Sequence, residues 1–433
     1  MNKDTNANVS LQTPMNEPPS KTPPIRRPAT IVAVAAPLDP ASKAGANTGI
    51  MAVAVGIVVM TTNTLMPTLV GVYADHYGLS VAEAGYTAAI YMAGGGSGAA
   101  LVSWLLPSIS TRILLAVSLC TLAIGNFASV FTHSVALIFT IRFIAGLGEG
   151  AGFALMGAAV SRLRDPNRIF GIFTVLLLLI SSGIHYVIPW LRDTYGAQLF
   201  FLPIAVAPAC LLAFIGWFPN LALHSDPILN KSSPEFTETR GEGSYFWCGI
   251  AATLVVYIAF GAGFAYIERM GVHAGIAANS VAEMIGMGYL IGAGGACVAT
   301  LMSTAPRRAW RISVALIIVA LSMLLTVTDA QLPYRIGVIM FFFSWSYFAP
   351  TFLGLMALAD PRGQLAAAVT GAQEWGIAVG PAIAAFWTGT GNYKSVALIG
   401  ACGFLGGLFL VIPVLRRVRQ NEYRHHKQTA GLR

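Results

Sequence analysis

The sequence predicts an all-α membrane protein whose helices cross the bilayer twelve times. Of its 433 residues, 56% are hydrophobic and only 10% are charged, whereas a soluble domain carries about 25% charged residues. Twelve apolar runs recur along the chain, each close to the roughly 20 residues that a helix needs to cross the hydrocarbon core. Only helices and closed barrels satisfy the backbone in lipid, and continuous apolar runs of this length favour helices.

The twelve predicted spans are separated by short polar breaks. They cover 49–72, 83–106, 112–131, 135–159, 168–190, 197–218, 245–267, 279–303, 309–328, 334–358, 364–388 and 394–415. The preceding segment, 1–48, is rich in Pro, Asn, Thr and Ala, contains no cleavable signal peptide and is predicted to be a disordered tail. The chain ends in a basic tail, 417–433.

The distribution of positive charge predicts that both termini are cytoplasmic. With that orientation, 21 of the 26 Lys and Arg residues lie in the two tails and in the turns on the cytoplasmic side. The positive-inside rule favours this topology in a cell or bacterial inner membrane. The net charge of +8 is therefore expected to meet anionic lipid headgroups rather than nucleic acid.

An internal repeat divides the chain into two halves. The polar break 219–244 separates six spans in 49–218 from six in 245–416. The sequence YADHYG at Tyr73 matches YIERMG at Tyr266, and YMAGGG at Tyr91 matches YLIGAG at Tyr289. The matches occur in the same order in both halves, which indicates duplication into two six-helix bundles in the same orientation.

This plan resembles the major facilitator superfamily of secondary transporters. RFIAGLG, Arg142 to Gly148, is similar to the arginine and glycine motif of that family's fourth span, although Ala145 stands where glutamine is frequent. GIAVGP, Gly376 to Pro381, is similar to its Gly/Pro antiporter signature, but lies in span eleven instead of span five. The resemblance implies two bundles related by a pseudo-two-fold axis along the membrane normal, which rock around a central pathway lined by spans one, four, seven and ten.

Two charges in span four are the first candidates for a functional site. Arg142 and Glu149 are seven residues apart, so they share one helical face at a separation of about 10.5 Å along the axis. A charge at a membrane centre costs about 2.5 to 3.5 kcal/mol and must face the bundle interior, a partner or water. We expect Arg142 to attract an anionic substrate group and Glu149 to carry a proton. A structural ion pair that fixes the helix is the alternative.

Two further residues are candidates for proton coupling. Glu374 lies about eleven residues into span eleven, near the predicted membrane midplane. A carboxyl group that alternates between a hydrated and a dry environment can take up and release a proton. His185 in span five is a candidate relay because imidazole titrates near neutral pH, although a locally satisfied histidine is the alternative.

The predicted substrate surface contains Arg142 together with polar and aromatic residues of three other spans. These residues are Asn63 in span one, Trp345 and Tyr347 in span ten, and Trp375 in span eleven. Ligand sites combine apolar walls with a few polar groups. Packing or lipid contact is the alternative role for each of these side chains.

The sequence therefore predicts a proton-coupled secondary transporter that works as a monomer and requires protons, lipids and a small-molecule substrate. Uptake of an organic anion by symport is favoured over proton antiport that exports an apolar or cationic compound. A membrane-embedded enzyme or receptor is a remote alternative, because no nucleophile and base pair, metal cluster or sizeable soluble domain is evident. We expect no cofactor, no metal and no ATP-driven motor, since the chain contains no GxxxxGK[ST] motif.

Overall fold

A computed structural model describes residues 43–420, except positions 133, 164, 197–199, 221–243, 303–307, 329, 361–363 and 390. The predicted disordered tail, most of the linker 219–244 and the end of the basic tail lie outside the described residues. Of the predicted tail, the structure describes 43–48, which is helical. The first helix therefore begins earlier than the sequence predicts.

The all-α prediction is confirmed, since the described part of the chain contains thirteen α-helices and no strand. The helices are α1 Lys43–Thr64, α2 Met66–His76, α3 Val81–Leu105, α4 Thr111–Val130, α5 Val135–Val160, α6 Pro166–Tyr195, α7 Phe201–Leu211, α8 Ser244–His273, α9 Ala278–Leu301, α10 Arg308–Leu325, α11 Gln331–Ala359, α12 Gln364–Thr388 and α13 Tyr393–Leu410. A 3₁₀ helix, Leu212–Trp217, continues α7.

Each of the twelve predicted spans is helical over most of its described residues. In the part of the chain that the structure describes, ten helices are long and apolar enough to cross a membrane. The sixth span consists of the shorter apolar segment Phe201–Trp217. The eleventh span is α12, which is 25 residues long and carries Gln373 and Glu374 near its centre. The chain is thus a multi-pass membrane protein.

The first span is broken into two helices near its middle. Proline at position 67 has no N–H to donate to the carbonyl four residues earlier, so the helical hydrogen-bond series cannot continue through it. In the structure α1 ends at Thr64 and α2 begins at Met66. The third helix has a clear start, because Ser80 and Glu83 form a capping box in which each side chain accepts the other's backbone N–H.

The helices pack in two equivalent groups of six spans, one in each half of the chain. In the first half, α5 packs on α3 and α4, and α1 packs on α6 and α7. In the second half, α11 packs on α9 and α10 in the same way, and α8 packs on α12 and α13. The halves meet through α3 with α12 and through α6 with α9. The same pattern of helix packing therefore occurs in both halves.

The glycines of α5 allow its backbone to touch two neighbouring helices. A Cβ on Gly146 or Gly150 would meet the backbone carbonyls of Tyr91 or Gly95 in α3. A Cβ on Gly148 would lie 2.6 Å from the carbonyl oxygen of Ser118 in α4. These glycines thus fix α5 at backbone contact with α3 and α4, as small residues do between membrane helices.

The two faces of the helix bundle differ in how closely the helices are packed. We call the face where α1 begins the proximal face, and the opposite face, at His76 of α2 and His273 of α8, the distal face. Every residue from Met66 to Tyr73 in α2 and from Ala259 to Gly271 in α8 is buried. Nearer the proximal face, the same spans are partly exposed at Val53 and Leu254, among others. The bundle is therefore packed more closely at its distal face along these two spans.

Candidate functional site

Glu149 lies at a point where three helices of the first half meet. Its side chain is 3% exposed. The amide nitrogen of Asn63 in α1 donates to Oε1 of Glu149 at 3.3 Å, and the hydroxyl of Tyr91 in α3 donates to Oε2. The two predicted residues Asn63 and Glu149 are thus in contact. Each carboxyl oxygen has one donor, and neither donor is a cation.

Arg142 lies on the same face of α5, towards the distal face, and is 1% exposed. Its Nη1 donates to Oδ1 of Asn126 in α4 at 2.8 Å, and its Cζ lies 4.2 Å from the ring centroid of Tyr91. Phe201 of α7 is also near, with its centroid 5.8 Å from Cζ. Within the described part of the chain, Nη2 has no hydrogen-bond partner. The guanidinium is therefore held by a neutral amide and aromatic rings.

Tyr91 is a residue of this candidate site that sequence reasoning missed. Its ring contacts Arg142 and its hydroxyl contacts Glu149, so it stands between the two charges that the sequence places on one face. The sequence contains one signal for it, because Tyr91 begins the repeated YMAGGG segment. That signal indicates a duplicated position and gives no information about what the side chain touches.

Glu374 faces the first half from the second. A Cβ built on Gly96 of α3 would lie 3.5 Å from the Cβ of Glu374. The Glu374 carboxyl interacts electrostatically with Glu149 and with Tyr257 of α8. The two candidate proton carriers are therefore close enough for the charge of one to affect the other across the boundary between the halves.

An aromatic cluster lies on the other side of Glu374. We define it as Tyr257, Phe260 and Trp345: the rings of Phe260 and Trp345 are stacked with centroids 3.8 Å apart, and Tyr257 meets Trp345 edge-on at 5.1 Å. Tyr257 also packs beside α12. A Cβ added to Gly376 of α12 would lie 2.7 Å from the Cβ of Tyr257. Trp345 is thus linked through Tyr257 to the helix that carries Glu374.

Tyr347 and Trp375, the other predicted aromatic site residues, lie elsewhere. Tyr347 is 8% exposed, and its hydroxyl has no hydrogen-bond partner among the described residues. Trp375 is 57% exposed and shares a stripe of α12 with the exposed side chains of Val379 and Ile383. Since Gly376 and Gly380 face α8, this stripe points outward. The structure does not bring Trp375 into the aromatic cluster.

His185 lies where α6 of the first half meets α9 of the second. It is fully buried, its Nδ1 lies 2.8 Å from the carbonyl oxygen of Ser181, and its ring is 5.3 Å from that of Tyr289. Tyr289 in turn donates from its hydroxyl to the carbonyl of Thr64 at 2.6 Å, where the first span breaks. The predicted relay residue thus belongs to a packed contact between the halves.

The distal face carries an ion cluster that the sequence analysis did not identify. We call Asp75, Glu268 and Arg269 the distal cluster. Arg269 of α8 donates through Nη1 and Nη2 to the two oxygens of Asp75 in α2, at 2.7 and 2.9 Å. Its Nε and Nη2 also donate to Glu268, at 2.5 and 2.8 Å. Both residues of α8 are buried, so Arg269 joins the two halves with its charge fully paired.

Burial raises the pKa of the Asp75 carboxyl, but the hydrogen bond and the positive charge of Arg269 outweigh it and hold the pKa below its ordinary value. The more distant charges of His76 and Arg192 act in the same direction. A carboxyl with a lowered pKa stabilises the folded contact above its ordinary pKa and loses that contribution as the pH falls through the lowered value. The Asp75 contact is therefore complete at neutral pH.

Gly71 explains how the distal cluster fits between the helices. A Cβ on Gly71 of α2 would lie 2.5 to 2.7 Å from the carboxyl atoms of Glu268. A methyl group at this position would require the carboxyl to shift, because real carbon atoms do not approach so closely. The buried carboxyl of α8 is thus pressed against the backbone of α2.

Side-chain hydrogen bonds from three further described residues also join the halves. Tyr266 donates to the carbonyl of Val81 at 3.3 Å, Asn279 donates to Asp193 at 3.1 and 3.2 Å, and Tyr289 bonds to the break of the first span. The first two lie near the distal face. The distal face is therefore closed by hydrogen bonds and an ion cluster.

Comparisons with known proteins agree with this architecture. No protein of curated function matches the sequence. The structure is similar to a D-xylose–proton symporter, with a TM-score of 0.67 and 15% identity over 84% of this chain and 96% of that one. It is also similar to the nucleoside transporter NupG, with a TM-score of 0.67 and 11% identity over 85% and 99% of the two chains. A POT family transporter in complex with 5-aminolevulinic acid gives 0.65 and 14% identity over 86% and 96%.

At such identities these likenesses show the fold alone. The sequence pattern of the Major Facilitator Superfamily matches residues 51–373, which is most of the chain and includes both Arg142 and Glu149. The family and the fold indicate a transporter of small molecules and not an enzyme. The chain belongs to the Major Facilitator Superfamily.

Proposed function

We propose that this transporter moves a small organic anion together with protons across the cytoplasmic membrane. One observation carries the proposal: Arg142 is buried with an unpartnered Nη2 and with no acid in direct contact among the described residues. A buried charge is costly unless it is compensated. The nearest compensating charge on the same face of the helix is Glu149, with Tyr91 between the two.

Proton binding at Glu149 would remove that compensating charge. The guanidinium would then be the uncompensated charge on this face of α5, and an anionic substrate group would restore the balance. Proton and anion would therefore bind together and cross as a neutral pair. A guanidinium is suited to this role because its planar donors match a carboxylate.

The distal cluster supports alternating access for this cycle. If both termini are cytoplasmic, as the distribution of positive charge predicts, the distal face is external and the described conformation is closed to the outside. Opening would separate Arg269 from Asp75, and Glu268 of its own helix would keep the guanidinium paired.

The test uses the purified protein and a panel of mono- and dicarboxylates. A ligand that binds the folded state raises the apparent melting temperature, so a carboxylate should stabilise the protein more at acid than at alkaline pH. The stabilising acid is then tested for accumulation in proteoliposomes under an inward proton gradient. Stabilisation that does not depend on pH, or uptake that ignores the gradient, would contradict proton symport.

Glu374→Gln tests which carboxyl carries the coupled proton. If Glu374 carries it, the variant should lose gradient-driven accumulation and keep exchange of the same anion. Survival of accumulation would leave the role with Glu149. Glu283→Gln is the matched control, because Glu283 is an exposed acid of another span and its change should leave both measurements as they were.

The aromatic cluster favours a second candidate, proton antiport of an apolar or cationic compound. Stacked rings beside a carboxyl bind organic cations through their faces, and Trp345 is linked to the helix of Glu374. Under this alternative, cationic dyes and not carboxylates would raise the melting temperature, and acid pH would weaken their binding. The same screen therefore distinguishes the two candidates.

A further inference from the structure

We propose that Tyr91 is a positioning residue that reports the protonation state of Glu149 to Arg142, an inference that rests on the proposed function. Tyr91 is fully buried in α3. Its hydroxyl contacts the carboxyl and its ring contacts the guanidinium. It is the side chain through which a change at Glu149 reaches Arg142, because the two charges are two helical turns apart.

The backbone around Tyr91 holds its position. A Cβ on Gly146 would meet the carbonyl of Tyr91 itself, and a Cβ on Gly94 would meet the carbonyl of Phe143. Helices α3 and α5 are thus in backbone contact on both sides of the tyrosine. The ring cannot move away from α5 without separating the helices, so Tyr91 can respond to Glu149 only through the direction of its hydrogen bond.

The hydroxyl of Tyr91 is able to reverse that direction. A phenol both donates and accepts, whereas a carboxylate only accepts. When Glu149 is charged, Tyr91 donates to it. When Glu149 gains a proton, its own O–H can donate to the oxygen of Tyr91, and the phenol proton turns towards the side chain of Thr62, its other hydrogen-bonding neighbour. No heavy atom needs to change place.

This reversal changes what Arg142 experiences. A phenol that donates to a carboxylate is polarised towards a more negative ring, and a guanidinium is attracted by the negative face of that ring. When Glu149 gains a proton, its negative charge disappears and the attraction between the Tyr91 ring and the Arg142 guanidinium weakens. Both changes release the guanidinium for an anion. Tyr91 would thus make proton binding and anion binding depend on each other.

The other charged and titratable groups that face Glu149 are few. Arg142 lies on its own helix, and Glu374 of α12 interacts with it across the boundary between the halves. Helix α1 presents the amide of Asn63, and α4 presents the hydroxyl of Ser118 to the backbone of α5 at Gly148. Neither of these two titrates near neutral pH, so a change at Tyr91 is the cleanest way to alter protonation of Glu149.

The experiment is a pH titration of the carboxyl groups in the full-length protein by infrared difference spectroscopy. The band that disappears in Glu149→Gln identifies Glu149. Tyr91→Phe keeps the ring beside Arg142 and removes the donor to the carboxylate, so the Glu149 midpoint should move upward by about one pH unit. Tyr289→Phe removes a buried hydroxyl that bonds to backbone and should not move it.

Anion binding gives an independent measurement. With a carboxylate that stabilises the wild type, Tyr91→Phe should reduce the pH dependence of its affinity severalfold and keep the affinity at acid pH. Tyr91→Leu, which also removes the ring, should raise affinity at alkaline pH, because Arg142 loses its aromatic neighbour. Melting temperatures show whether each variant is folded. If Tyr91→Leu does not fold, Tyr91→Phe alone tests the inference.

An unchanged Glu149 midpoint in Tyr91→Phe would overturn the inference, and so would an equal shift in Tyr289→Phe. The proposed function fails separately, if the wild type shows no gradient-driven accumulation of any carboxylate. A shifted midpoint with no accumulation would mean that Tyr91 sets the protonation of Glu149 in a protein with another substrate.

Discussion

Two arginines of this protein are buried but have opposite surroundings. Arg269 makes four hydrogen bonds to two acids, Asp75 and Glu268. Arg142 makes one hydrogen bond to an amide and is separated from Glu149 by a tyrosine ring. A fully paired arginine holds two helices together, whereas an incompletely paired one retains the capacity to bind something else.

The difference follows from where each pair lies in the fold. The distal cluster joins α2 of the first half to α8 of the second, so its ion pair acts on the relative position of the halves. Arg142 and Glu149 lie on one helix, so their interaction cannot move one half against the other. We therefore interpret the distal cluster as a lock, by which we mean a contact that holds the two halves together at the distal face. We interpret the Arg142 region as a binding site.

The largest expected effect is at Arg142. Arg142→Ala should lower the affinity for a stabilising carboxylate by at least about 100-fold, since a hydrogen bond to a charged group contributes about 1.5–3 kcal/mol and two would be lost. Arg142→Lys keeps the charge without the planar donors and should lose about tenfold. Binding is measured by calorimetry on folded protein.

The control for this series is the double variant Arg142→Ala with Glu149→Ala. If the arginine is merely structural, the single variants should lower the folded yield and the double variant should recover part of it, because the unpaired buried carboxyl is removed. If the folded yield recovers in the double variant and the anion affinity is unchanged, Arg142 has a structural role like that of Arg269.

The next largest effect is expected for Gly71→Ala. The new methyl group would occupy the space of the Glu268 carboxyl, so the distal cluster must separate and the distal face should open. Spin labels on the exposed residues Tyr195 and Glu283, in a variant without cysteine, should report a longer distance between the two labels. If the closed state loses about 1.4 kcal/mol of stability, accumulation should fall by about tenfold.

Two variants serve as controls for the opening. Adding Glu268→Ala to Gly71→Ala removes the carboxyl that the methyl group meets, so closure should return in part. Gly157→Ala places a methyl group on α5 where the described residues leave open space, and it should change neither the distance nor the accumulation. An unchanged distance in Gly71→Ala would contradict the interpretation of the distal cluster as a lock.

The smallest effect is the pH dependence of the lock. Because Arg269 holds the pKa of Asp75 below its ordinary value, the label distance should stay constant above the ordinary aspartate pKa of about 3.9 and lengthen only below it. Asp75→Asn should show the longer distance at every pH and lose the acid transition. A transition near neutral pH that survives in Asp75→Asn would assign the pH dependence to another group.

The approximate positions of the helices and the burial of Arg142 and Glu149 followed from the sequence alone, whereas the buried charges of the distal cluster did not. Apolar runs of membrane length predict helices wherever they occur, and the spacing of Arg142 and Glu149 fixes their common face, because the helical repeat is a local property of the chain.

Tertiary structure decided the neighbours of each buried side chain. Asp75 and Arg269 are 194 positions apart in sequence, Tyr91 entered the site through packing of α3 on α5, and Trp375 proved to face outward while Trp345 faces Tyr257. The physical reason is common to all three. In a membrane protein both lipid and helix neighbours are apolar, so the pattern of hydrophobic residues does not indicate which side of a helix faces protein. Only the packed structure selects the contacts that join or separate the charges.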